Sequence, residues 1–365
     1  GYDLVFSDLM ASLIPHDVLT PLEHFLERDP IRYSSLFESL VRQMTWQGRL
    51  YDLPVAVDPY VLLYVPLLFD AVGVAYPDAQ WTWSDFSRAA ERLYFSEDPG
   101  FFSFFSRMSF EVQTPLFGAR VHPGSLLPIL LAQTNSTGLE EADEPLARAL
   151  SLLMELQRNP GVFWTISESP DSLALGRAAM EPAYLGQGMR HAVSYTAWYP
   201  QTVNQRTTWV PRRFPGAPAP FAWGIAPVPA FEGGERVSEA AVLSVAIPAN
   251  SPNRAEAWQV ARFIAGPDGA AILARMGLLP AFLDEETMGL WLQALRAWGS
   301  EPPDTLTVVS TLNLTVAGRR RGVAEFRFRA EYPARIAGLF EGRYWLFDAL
   351  DIAREVRAEI AALGL

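Results

Sequence analysis

The chain has no cysteine and no lysine. Without cysteine it has no disulfide, no thiolate metal site, no thiol nucleophile and no thiol to carry a lipid anchor. Without lysine, all 29 cationic side chains are arginines, a bias that surfaces tolerate and that reflects genomic base composition more than function. Together with 29 prolines it is compatible with a heat-adapted source. Long apolar runs are missing too: half the residues are hydrophobic, yet none of the runs reaches the roughly 18 residues of a membrane span. Positive charge is scarce. A net charge of −12 and a pI near 4.9 argue against nucleic acid as a partner, because phosphate binding needs basic patches. The one basic cluster, Arg319-Arg320-Arg321, is too short to change this and reads as a solvated face.

Marks of catalysis are equally sparse. The four histidines, His16, His24, His122 and His191, show no metal-ligand spacing and read as structural or solvated. No GxSxG, Walker or GxGxxG pattern occurs. The run Glu140-Glu141-Ala142-Asp143-Glu144 resembles a solvated charge run at a helix start more than a catalytic pair. The reading is a protein without cofactor or metal, and not an enzyme.

What is present is a chain of 365 residues, long enough for two domains with real cores, and free of internal repeats or low-complexity tails. Strand-like and helix-like patterns alternate, which predicts an α/β protein with parallel sheets covered by helices. Residues 2–6 (YDLVF) read as a short buried strand. Helical periodicity runs over 11–26, 31–42, 81–94, 145–157, 171–180, 254–265, 269–276 and 285–298. Residues 101–117 are aromatic and β-like, and 199–220, rich in Pro, Thr and Arg, read as an irregular excursion.

The most informative stretch is 51–93. An apolar run over 53–57 is broken by Asp58-Pro59, a second apolar run follows, and a Pro/Asp turn leads to Trp81-Thr82-Trp83-Ser84-Asp85, with Ser84 placed as a helix N-cap. A lone carboxylate between two buried strands is costly unless something pairs with it, which makes Asp58 a candidate ligand contact. Further on, 221–229 (FAWGIAPVP) is followed by 241–248 (AVLSVAIP), a turn at Asn250-Ser251-Pro252-Asn253 and a helix from Arg254. Then come Gly266-Pro267-Asp268-Gly269 and Gly277-Leu278-Leu279-Pro280-Ala281.

The two segments, in this order, resemble the family 1 extracellular solute-binding proteins of ABC importers, which include the maltose-binding and other sugar-binding proteins. The resemblance implies a two-lobed periplasmic-binding-protein-like fold of type II. Each lobe would be a mainly parallel sheet flanked by helices, with a hinge of crossing strands near Val57-Asp58 and Ala241–Val245. The first lobe would comprise residues 1–57, 241–280 and 303–365, and the second 59–240 and 281–300. Family members normally open with a strand, a helix, a second strand and a second helix, which are absent before Tyr2 here. The far end resembles them instead: 305–310 (TLTVVS) the first strand, 323–332 the first helix, 336–341 the second strand and 346–363 the second helix. A circularly permuted chain, with 307–309 an interior parallel strand beside 4–6 and Gly1 near Leu365, is therefore one expectation. A truncated chain ending in ordinary helices is the other.

The resemblance also supplies site residues. Asp58 matches the family's acid on the first crossing strand, with a hinge or capping role as its alternative. Ser7 and Asp8 follow strand 2–6, where the family places cleft contacts, although Asp8 equally suits an N-cap. Thr311 and Asn313 follow the permuted first strand. Tyr184 stands where the family carries a stacking Trp after "AAM", with Ala183 in place of the usual glycine. Trp198 and Trp345 lie near strand ends and suit stacking on a sugar face, whereas Trp223 suits the core. The family's Asn-Lys is Val65-Pro66 here, and its polar contacts around 110–113 are mostly apolar. The expected activity is capture of a small polar solute, a sugar or oligosaccharide, by a monomer that delivers it to an ABC permease. Its place would be periplasmic or extracellular, with any export signal or tether outside these residues. The alternatives are a glycoside-acting enzyme, which needs two carboxylates facing one sugar, and a binding protein used as a sensor or receptor component.

Overall fold

A single strand of 13 residues, β2 (Asp52–Tyr64), runs through the middle of the structure, and every other strand of the main sheet is placed by reference to it. The structure is a computed structural model that describes residues 2–7, 13–30, 35–94, 116–134, 143–164, 178–186, 194–203, 206–215, 223–297 and 315–317. In chain order the described elements begin with β1 (Val5–Ser7), a 3-10 turn (Ile14–His16), α1 (Glu23–Arg28), α2 (Ser35–Met44) and β2. Then follow α3 (Pro66–Val72), α4 (Trp83–Arg92), β3 (Phe117–Val121), α5 (Pro123–Gln133), α6 (Asp143–Arg158), β4 (Val162–Trp164) and β5 (Ala178–Tyr184). The remainder are β6 (Ser194–Val203), β7 (Arg206–Pro215), β8 (Gly224–Ala226), β9 (Ser238–Ala246), α7 (Arg254–Ala265), α8 (Pro267–Arg275), α9 (Glu285–Ala297) and β10 (Thr315–Ala317). No helix among the described residues is long and apolar enough to cross a membrane.

The main sheet has the order β1-β9-β2-β5-β3-β4, with β10 beside β9 and β8 beside β2. The α/β class stands, but the sheet is mixed. β3 runs parallel to β4 and β5, and β10 parallel to β9. β2 is antiparallel to β5, β8 and β9, and β1 is antiparallel to β9. Helical connections make the parallel pairs, whereas β2 and β9 pass the centre of the sheet in opposite directions.

β2 is one strand where the sequence reading has two runs broken at Asp58-Pro59. Strand residues present their N–H groups to alternate sides, and that of Val57 goes to Leu279 O at 2.9 Å. Residue 59 faces that same side, where the ladder to β5 begins only at Tyr60. A proline there forfeits no ladder bond, so the strand continues.

Proline explains other departures. The helix expected over 11–26 is split into the 3-10 turn, which Pro15 opens, and α1, which starts two residues after Pro21. Two helices, α3 and α5, have no counterpart in the sequence reading. Each carries a proline at its first position, and α5 has Pro128 inside it and apolar residues around most of its circumference. A helix that is apolar all round shows no amphipathic period to read.

Four further corrections concern boundaries. The cap of α4 is Thr82, not Ser84: the Thr82 hydroxyl accepts from Asp85 N at 3.2 Å while Asp85 Oδ2 accepts from Thr82 N at 2.8 Å, a capping box. Ala178–Met180, expected as the end of a helix, opens β5. The stretch expected to be irregular over 199–220 contains most of an antiparallel β6–β7 ladder, registered from Ser194↔Pro215 to Val203↔Arg206. The strand expected over 2–6 is β1, shifted to Val5–Ser7. α7 occupies Arg254–Ala265 as expected, and α8 starts with Gly266 as cap and Pro267 at its first position. The segments on which a permuted order turns, 305–310, 323–332, 336–341 and 346–363, lie outside the described residues.

α4 lies against β3 and β4 with Trp83, Phe86, Ala89 and Ala90 buried. The helix backbone comes so close that a Cβ on Gly118 would lie 2.0 Å from Ala90 O, and one on Gly161 2.1 Å from it. Backbone on both sides leaves nothing flexible to yield. Gly118→Ala is expected to push α4 off the sheet and cost about 3 kcal/mol or more, above the usual overpacking range. Urea unfolding measures it, and a loss below about 1 kcal/mol would show that the helix slides freely over the sheet.

Candidate functional site

The partners of β2 change at Asp58. On one edge, residues up to Pro59 pair with β9, with Asp58 opposite Ala241, and residues 62–64 pair with β8. On the other edge, Val57 N–H reaches Leu279 O, and Ala281 N–H reaches Val55 O at 3.0 Å. From Tyr60 onward that edge belongs to β5, beginning with Tyr60↔Tyr184. Between the two partners the edge has a gap at 58–59.

The Asp58 side chain fills that gap. Its Oδ1 accepts the N–H of Gly186 at 2.7 Å. β5 ends at Tyr184 and the chain turns into helical backbone at 185–186, so the carboxylate takes the N–H of the residue at which the chain leaves the ladder. The two groups are in van der Waals contact: a Cβ on Gly186 would sit 2.6 Å from Asp58 Oδ2.

Solvent reaches the sheet at this level. β2 is buried along its length except for Asp58 and Tyr64, which are half-buried. In β9, Ala241 and Val242 are half-buried and Leu243 is exposed, while the three residues on either side are buried. Successive strand residues point to opposite faces, so β9 is partly open on both faces here. In β2 only the face that carries Asp58 is open, and Val57 and Pro59 stay buried.

Just beyond the gap lies an aromatic and charged group. The rings of Tyr60 and Tyr184 meet edge to face at 5.1 Å, and the fully buried Tyr60 hydroxyl donates to Pro182 O at 2.8 Å. Burial holds the Tyr60 hydroxyl well above its usual pKa, reinforced by Tyr184, Glu181 and Glu239 and opposed by Arg120. On the opposite face of β5, the buried Glu181 forms an ion pair with Arg120 of β3 through Oε1. Its other oxygen, Oε2, has no hydrogen-bond partner among the described residues. Burial pushes the Glu181 carboxyl up to about 7, against the pull of the Arg120 guanidinium.

Of the residues expected at the site, the structure brings Asp58 and Tyr184 together, one on each side of the gap. Ser7 is elsewhere. It pairs with Ser244 across β9, three residues from Ala241, and alternation turns it to the face opposite Asp58. Trp198 lies in β6, opposite Pro211 in the separate two-stranded sheet. Asp8, Thr311, Asn313 and Trp345 lie outside the described residues. Trp223 is buried, as its core reading requires. His122 serves the fold, because its Nδ1 caps α5 by accepting Ser125 N–H at 3.2 Å. Sequence reasoning misses Gly186, Tyr60 and the Arg120–Glu181 pair. Glu181 carries the same signal as Asp58, a lone acid in an apolar run, but the helical reading of 171–180 hides the strand it belongs to. Gly186 carries none, because only the register reveals it. Among the described residues no cluster of His, Cys, Asp and Glu has the makings of a metal site.

The comparisons with known proteins give the family and the fold. The model of the bacterial extracellular solute-binding protein family matches residues 1–271, and the chain belongs to that family. It is thus a solute-binding protein of the ABC-transporter type, and its relatives bind solutes rather than transform them. No curated protein matches the chain. Among solved structures, a sugar transporter of Rhizobium etli in an open conformation superimposes with a TM-score of 0.70 at 18% identity, covering 97% of this chain and 84% of that one. An ABC substrate-binding protein of Listeria monocytogenes in complex with cycloalternan gives 0.70 at 17%, over 99% and 84%. A maltose-bound protein of T. maritima gives 0.66 at 13%, over 99% and 84%. Through these neighbours the fold is the two-lobed type II binding-protein fold.

Glu181 gives the fold a pH signature. Between its ordinary value of 4.5 and about 7, the folded chain holds a proton on this carboxyl that the unfolded chain does not. Stability therefore falls as pH rises through that window, by about 1.4 kcal/mol per pH unit at its steepest. The cost is absent below the window and constant above it. Denaturant unfolding at pH 5 and pH 8 is expected to show this fall in the wild type, and to show it much reduced in Glu181→Gln. An equal fall in both would assign the slope to other groups.

Proposed function

We propose that the protein captures a small polyhydroxyl solute, a saccharide or polyol, between two lobes and presents it to an ABC permease. The observation that carries the proposal is the position of Asp58: a half-buried carboxylate in an otherwise buried stretch of β2, level with the partly open residues 241–243 of β9, where β2 exchanges one set of partners for another. A strand that serves two groups of partners and carries a half-buried acid where they change is suited to be a hinge strand, and β9 loses cover at the same level. On this reading the first lobe comprises 1–57, 241–280 and 303–365, and the second 59–240. Residues 281–300, expected in the second lobe, are better drawn with the first, because the buried Trp291 of α9 donates to Gly277 O at 3.1 Å, just past α8.

The site's chemistry supports a sugar-like ligand. Asp58 supplies a carboxylate for hydroxyl groups, and the neighbouring Tyr184 supplies an aromatic surface that suits C–H faces. The Listeria and T. maritima neighbours, bound to cycloalternan and maltose, hold ligands of this class. Closure of the lobes around the solute would be the state the permease recognises, a ligand-driven population shift of the hinge type. The protein would act as a monomer, in the periplasm or outside the cell.

Isothermal titration of the wild type with neutral saccharides and polyols is the first test. Binding of at least one is expected, and tight binding of another solute class alone would remove the saccharide claim. Because Asp58 also holds Gly186, two variants separate its roles. Asp58→Ala should lose both the solute and the Gly186 N–H, each worth roughly 1.5–3 kcal/mol as a charge-assisted bond. Asp58→Asn keeps a neutral acceptor for Gly186, so its unliganded melting temperature should recover most of the way to wild type. Its affinity should stay about tenfold or more below wild type. Wild-type affinity in Asp58→Asn would make Asp58 a hinge residue only.

A further inference from the structure

We propose that Gly186 is a positioning residue for solute recognition, because its missing side chain admits the Asp58 carboxylate and its N–H orients it. The proposal rests on the reading of Asp58 as a solute contact.

Three observations support it. The backbone of Gly186 lies outside the left-handed region, so this glycine is not there to relieve a positive φ. Space is what it provides. The three atoms nearest to a Cβ built on Gly186 are Asp58 Oδ2 at 2.6 Å, Cγ at 3.3 Å and Oδ1 at 3.5 Å. All belong to one side chain, so a methyl group at 186 competes with the Asp58 carboxylate before it meets anything else. Finally, the Gly186 N–H donates to Oδ1 at 2.7 Å and thereby sets which way the carboxylate faces.

Gly186 thus ties two strands that meet at the hinge level. It lies just past the end of β5, whereas Asp58 lies in β2, at the point where β2 leaves the Leu279–Ala281 strip and has not yet joined β5. A side chain at 186 would turn the carboxylate away from this position. Any solute that takes hydroxyl bonds from Asp58 would then find its acceptor displaced, although Asp58 itself is intact.

A double-mutant cycle of wild type, Asp58→Ala, Gly186→Ala and the double variant tests this with two readouts. The first is the urea midpoint of the unliganded protein. Gly186→Ala is expected to lower the midpoint in the Asp58 background. In the Asp58→Ala background it should leave the midpoint unchanged or raise it, since the clash is gone and alanine restricts the unfolded chain. The second is affinity for maltose, D-tagatose and ribitol by calorimetry. For whichever binds the wild type, Gly186→Ala should weaken binding about tenfold or more, and the double variant should bind no more weakly than Asp58→Ala. A midpoint loss of equal size in both backgrounds overturns the proposal, because the methyl group then meets something other than Asp58. A coupled midpoint with unchanged affinity in Gly186→Ala also overturns it, reducing the contact to a structural one. If the wild type binds none of the three, the affinity readout moves to whichever saccharide or polyol of the titration panel binds it, and the midpoints still decide whether Gly186 positions Asp58.

Discussion

The interaction on which the rest of the structure depends is the seam where β2 exchanges one set of backbone partners for another. A strand of 13 residues is long enough to serve two groups of neighbours. It does so with β9 and the Leu279–Ala281 strip at its start, and β8 and β5 at its end. Backbone groups left at such a seam must find partners or water. Here proline removes one donor at residue 59, and the carboxylate of residue 58 supplies an acceptor to the N–H of Gly186. Two adjacent side chains thus serve a stretch of strand edge that no ladder covers.

Two acids in apolar strands show how differently a buried charge can be accommodated. Asp58 is half-buried and gives one carboxylate oxygen to a backbone N–H. Glu181, on the strand that leads to Gly186, lies under full cover and leans on the Arg120 guanidinium. Burial costs the second carboxylate more than its ion pair returns, so its proton is held to a higher pH. The accessible acid suits ligand recognition. The enclosed one fastens β5 to β3, and so fixes the strand whose end carries Tyr184 and Gly186.

The helices hold this arrangement in place from outside. Ala90 of α4 rests on Gly118 and Gly161 with no room for a methyl group, which sets the height of β3 and β4. On the other side of the seam, Phe25 of α1 stacks on Trp258 of α7 at 5.4 Å, and Trp291 ties α9 to the end of α8. Packing on both sides of the seam suits the hinge reading of β2.

Much of this is legible in the sequence. The alternation of strands and helices, the crossing segments around Asp58 and around Ala241, and the turn and cap signals before α7 and α8 follow from local chemistry: apolar period, proline geometry and small polar caps. Those signals also suffice to mark Asp58, since a lone acid in an apolar run always needs an explanation. Local chemistry fails where the deciding partner is distant. α5 is apolar around most of its circumference and so has no period, and the paired strands β6 and β7 look irregular one strand at a time. Ser7 resembles a site residue until β9 comes between it and Asp58. The value of Gly186 depends entirely on the register of β5 against β2, which joins residues 128 apart in the chain. Local pattern by itself determined an α/β chain with an acid at the crossing, and the family likeness of two segments implied its two lobes. Which side chains share the site was decided only by strand pairing, because a glycine's significance lies in what occupies the space it leaves.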